Sequence, residues 1–111
     1  MNKCKCMKLN VLTRLMLLNN LPEQGSLEKM INRRNIKDKI IFSSEEFDKL
    51  ELKSSDVGVT WKPIDDIEVE FTNTEIIFIK NILDKMSDDG LISEGIIDFA
   101  LAINDMATNN D

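Results

Sequence analysis

With 111 residues, 42% of them apolar and 31% charged, the chain has the size and balance of one soluble globular domain and not of a disordered segment. No apolar run reaches the roughly 18–20 residues that a membrane-crossing helix needs, and the only two cysteines, in a C-x-C pair, make no disulfide framework. The net charge of −6 is laid out unevenly: residues 1–40 hold nine Lys or Arg against three acids, residues 41–111 five Lys against seventeen. The two halves neutralise each other within one fold, or the acidic half stays exposed to a basic partner, or molecules associate head to tail.

Residues 1–6, with Cys4 and Cys6, read as a flexible leader beside a second start at Met7. The stretch "VLTRLMLLNNLP" carries Arg14 in its middle and has no small-residue cleavage site, so it reads poorly as a signal peptide and a cytoplasmic location is expected. A first helix follows Asn10 as N-cap, with Leu12, Leu15, Met16 and Leu18 at helical spacing, and ends at Pro22. Ser26 caps a second helix with Leu27, Met30 and Ile31 on one side and Lys29, Arg33, Arg34 and Lys37 on another; Asn35 is expected to loosen it. Ser43 and Glu46 form a capping box for a short third helix carrying Phe47 and Leu50.

The pattern then changes period. "VGVTW" alternates Val57, Val59 and Trp61, and "IEVEF" alternates Ile67, Val69 and Phe71 against Glu68 and Glu70, which predicts two strands with Pro63 between them. "LEL" could add a third. Thr72 and Glu75 make a second capping box, opening a helix that ends at Gly90. Ser93 caps the last helix, whose face holds Ile96, Phe99, Ala100, Ile103 and Met106, broadened by Ile97 and Leu101. Apolar faces this wide leave room for a homodimer through the C-terminal helices. The expected architecture is therefore α+β: N-terminal helices, a small antiparallel sheet or hairpin, then two C-terminal helices. It forms a single domain over residues 7–107, with a frayed tail at 108–111.

Three helices before a hairpin is also the element order of a winged-helix domain. The third helix would then enter a phosphate-lined groove, and Glu45, Glu46, Asp48 and Glu51 on it would be repelled there. The basic set Lys29, Arg33, Arg34, Lys37 and Lys39 is the alternative nucleic-acid surface, without the aromatic residues that single-strand stacking uses. The chain has no His, no phosphate-binding glycine motif and no EF-hand spacing. Cys4 and Cys6 fall short of the four ligands of a structural zinc site. A non-catalytic protein without cofactor or metal is the expectation.

The opening Leu12, Leu15, Leu17, Leu18, Asn19, Leu21, Pro22 and Gly25, then Phe42, Ser43, Glu45 and Glu46, then Val59, Thr60 and Trp61, resemble a group of small proteins encoded in bacteriophage and prophage genomes. The likeness runs from residue 7 to about 104 and transfers no catalytic or binding residue. It implies an accessory protein acting inside the host cell, where small acidic phage proteins often inhibit defence machinery such as CRISPR nucleases. The expected contact surface is the acidic set Glu45, Glu46, Asp48, Asp65, Asp66, Glu68 and Glu70, facing a host protein with a basic groove.

Overall fold

Strand β1, Lys5–Leu9, runs antiparallel to strand β4, Ile67–Phe71, with Met7 opposite Val69 and Leu9 opposite Ile67. Period-2 alternation turns Met7, Leu9, Ile67, Val69 and Phe71 to the core and leaves Cys6, Lys8, Glu68 and Glu70 outside. The structure is a computed structural model and describes residues 5–56 and 58–108. It corrects the expected leader, because Lys5 and Cys6 belong to β1; Cys4 lies outside the described residues.

Helix α1, Val11–Asn20, starts where expected, with Asn10 accepting from Thr13 N. Its buried side is rotated from the expected one: Val11, Thr13, Arg14 and Leu17 join the expected Met16 inside, Leu15 and Leu18 are half-buried, and Leu12 is exposed. Helix α2, Leu27–Ile40, runs unbroken through Asn35. It inserts Ile36 and Ile40, while Leu27 is 79% exposed and Ile31 is also exposed, so the expected Leu27–Met30–Ile31 face is not its core face. Helix α3, Ser44–Leu50, is short because Glu51 turns into the left-handed region at φ 46°; its capping box is complete. It buries Leu50 and leaves Phe47 53% exposed.

The hairpin does not join "VGVTW" to "IEVEF". Strand β2, Lys53–Ser55, pairs with β3, Gly58–Thr60, and β4 is left to β1. Gly58, at φ 126°, supplies a closing conformation that a side chain would resist, and Ser55 Oγ donates to its carbonyl. Leu52 adds no strand to the β1–β4 sheet, and Trp61 falls just past β3; Val57 lies outside the described residues.

Helix α4, Asn73–Asp88, has the expected capping box at Thr72 and Glu75 and ends before Gly90 at φ 71°. A 3-10 turn, Glu94–Ile96, then leads into α5, Ile97–Thr108; Ser93 makes no side-chain cap bond. Leu9, Leu17, Ile36, Ile40, Phe71, Ile79 and Ile103 meet in a core drawn from both ends of the chain. The architecture is α+β. No helix among the described residues is long and apolar enough to cross a membrane.

Candidate functional site

Charge placement organises this molecule, and it begins with Arg14. A lone guanidinium in a core would be costly, so every donor it buries must find an acceptor. Arg14 is 1% exposed. Its Nε donates to Ile40 O at 2.9 Å and Nη2 to Ile41 O at 3.0 Å. Nη1 and Nη2 grip Glu46 at 2.9 and 3.1 Å, and the guanidinium lies 3.9 Å from the Phe42 ring centre.

Those partners explain the arrangement. Ile40 and Ile41 end helix α2, where carbonyls lack intrahelical donors and the helix dipole favours a cation. Glu46 sits in the first turn of α3, where the dipole favours an anion, and its Oε1 also accepts from Ser43 N at 3.0 Å. One ion pair thus closes both ends of the α2–α3 junction. Glu46 is consequently not a free contact residue, which corrects the expected surface: both of its oxygens are engaged inside the molecule.

The Arg14 hydrogen bond first, and the Ser43 backbone N–H second, hold the Glu46 carboxyl down from its ordinary 4.5 to about 2. A depressed carboxyl contributes fully above its unfolded value and loses that contribution as pH falls toward the folded one. Stability is therefore expected to decline between pH 4.5 and 2 by about 2 kcal/mol from this group, allowing for its partial exposure. Denaturant titrations across that range check it. Glu46→Gln should flatten the decline; an unchanged slope would contradict the assignment.

Lys39 repeats the theme. Its Nζ lies 2.5 Å from Oε1 of the buried Glu75, which also accepts from Thr72 N, and 5.8 Å from the Phe71 ring centre. Arg33 donates from Nε to Pro22 O at 2.7 Å. Of the five residues in the alternative nucleic-acid surface, Arg33 and Lys39 are thus turned to internal partners, leaving Lys29, Arg34 and Lys37. The stripe that helical spacing suggests is broken by tertiary structure.

The remaining acids stay outside. Glu45 and Asp48 are exposed on α3, Asp65 and Asp66 in the segment before β4, and Glu68 and Glu70 on the outer face of β4. A cleft of about 490 Å³ between α3 and that segment is lined by Lys49, Pro63, Ile64, Asp65, Asp66 and Ile67, together with Glu46. Asp66 also borders a second depression beside Met7 and Lys8, which connects the cleft to the β1–β4 sheet. Two lysines temper the ridge: Lys49 lies 3.5 Å from Glu45, and Lys8 is opposite Glu68. Both are exposed pairings of the kind worth a few tenths of a kcal/mol, so a stronger cationic partner can displace them.

The exposed Phe47 was not singled out as a surface residue by its sequence context, since an apolar residue after a capping box ordinarily faces the core. No local signal marks it: Phe47 and Leu50 are three apart on one helix face, yet Leu50 is buried and Phe47 is not. No family model, curated protein or solved structure matches the chain.

Proposed function

We propose that the protein is a non-catalytic accessory protein of phage origin that binds a host protein through its acidic ridge. One observation supports this reading most. Arg14, Arg33 and Lys39 are spent on internal acceptors, so the exposed carboxylates of Glu45, Asp48, Asp65, Asp66, Glu68 and Glu70 are left with little compensating charge. Carboxylates fixed on a strand and a short capped helix present negative charge at set positions, as a phosphate backbone does. They steer association with a basic groove. Phe47, half out of α3 among Glu45 and Asp48, is the apolar anchor such an interface needs at its centre. A host defence nuclease, whose groove receives nucleic acid, is a partner of this chemistry.

Charge reversal tests the reading. Glu68→Lys with Glu70→Lys is expected to lower partner capture from host lysate by about tenfold or more, with a steeper loss at low salt than at high salt. Both side chains are exposed on the outer face of β4, so the fold should change by less than about 1 kcal/mol. Unchanged capture by a folded double variant would remove the acidic ridge as the contact.

A further inference from the structure

From segments that flank the acidic set in sequence, the α1–α2 connection and the C-terminal half of α4 enclose a cleft of about 290 Å³. Its floor is apolar: Phe78 and Met86 are buried and Ile82 half-buried, with Leu91 at one edge. Its mouth carries Lys29 and Lys85, with Asp89 as the one carboxylate among the lining residues. Neither lysine has an ion-pair partner among the described residues, so this cleft is locally cationic in a chain of net charge −6. A preformed hollow with an apolar floor and a few convergent polar groups is the ordinary form of a small-ligand site, and this volume is at the small end of that range.

We infer that this cleft binds a small carboxylate with a short apolar body, the chain lying on Phe78, Ile82 and Met86 and the carboxylate meeting Lys29 and Lys85. The apolar floor alone would accept a neutral molecule equally well; the two lysines make the preference anionic. Lysine suits this role because its ammonium on a flexible stem can follow a carboxylate at an open mouth without the fixed fork that arginine requires. The site is independent of the acidic ridge.

Titration of the isotopically labelled protein with octanoate, followed by amide shifts, tests the assignment. Saturable shifts are expected at Lys29, Ile82, Lys85 and Leu91. Lys29→Met with Lys85→Met should weaken binding by about tenfold or more while the rest of the spectrum is retained, and the Lys→Arg pair should keep most of the affinity. Octanamide, the uncharged counterpart, should bind far more weakly. Absence of shifts at millimolar octanoate would overturn the proposal. So would equal binding of octanamide, or shifts centred on the exposed Ile97 and Leu101 of α5 in place of the cleft.

Discussion

Replacing Arg14 with Ala is expected to destabilise the protein by about 3–5 kcal/mol, the range for removing one partner of a buried charge pair. The loss has three parts: two helix-end carbonyls, Ile40 O and Ile41 O, lose their donor; Glu46 loses its counter-charge; and a large buried volume empties. Domains of this kind hold together by roughly 5–15 kcal/mol, so the variant should be near the edge of folding at ambient temperature. The informative companion is Arg14→Lys. An ammonium keeps the charge but cannot reach two carbonyls and both carboxylate oxygens at once, so it should recover less than half of the loss. Urea denaturation midpoints decide it. A lysine variant within about 1 kcal/mol of the parent would mean that charge alone, and not the forked geometry, holds the α2–α3 junction.

The second large effect concerns β1. Starting the chain at Met7 removes Lys5 and Cys6, and with them two of the five cross-strand pairs, but retains Met7 and the buried Leu9. That truncation should cost only about 1 kcal/mol, since end pairs of a strand contribute a few tenths each. Starting it at Asn10 is different. Leu9 leaves the core, the buried Val69 and Phe71 lose the strand beside them, and β4 is left without its ladder. A buried leucine alone is worth about 2–5 kcal/mol, and β4 has no other partner strand among the described residues, so cooperative unfolding should disappear. Circular dichroism on heating separates the two truncations: a sharp transition for the first, a broad or absent one for the second. A sharp transition for both would mean that β1 is dispensable.

The helices were legible because their signals are local. Asn10, Ser26, Ser43 and Thr72 each accept the backbone N–H that an N-cap should, and both capping boxes close as S/T-x-x-E spacing predicts. Strand β4 was legible for the same reason, its five residues alternating without exception. What escaped was whatever depended on contacts distant in sequence. "KCMKL" holds only two apolar residues in alternation, too few to announce a strand, and it becomes one because β4 lies 58 or more residues away with a free edge. The rotation of α1 has a similar cause. Hydropathy ranks Arg14 as an outward residue, yet its partners lie 26 to 32 residues on, and only their presence lets the guanidinium go inside.

Contacts distant in sequence also divide the acidic set. Spacing could identify seven carboxylates in the right half of the chain but not which of them would be consumed internally. Glu46 is both a capping-box residue and a member of that set, and the buried arginine beside it turns it to the structural task. On the basic side, Arg33 and Lys39 were lost from the expected stripe to Pro22 O and Glu75. Neutralisation and exposure, posed as alternatives by the charge asymmetry, are therefore both present: the bases of the first forty residues are partly absorbed, and most of the singled-out acids are not.

If the proposed partner binds the acidic ridge, capture depends on where the acids sit and not on total charge. The direct measurement compares partner capture by two variants with the same net charge. One carries Glu68→Lys and Glu70→Lys on β4; the other carries Glu23→Lys and Asp88→Lys, both exposed and both away from the ridge. The β4 variant is expected to lose about tenfold or more in capture while the control retains most of it. Equal loss in both would reduce the interaction to bulk electrostatics and contradict a defined acidic surface.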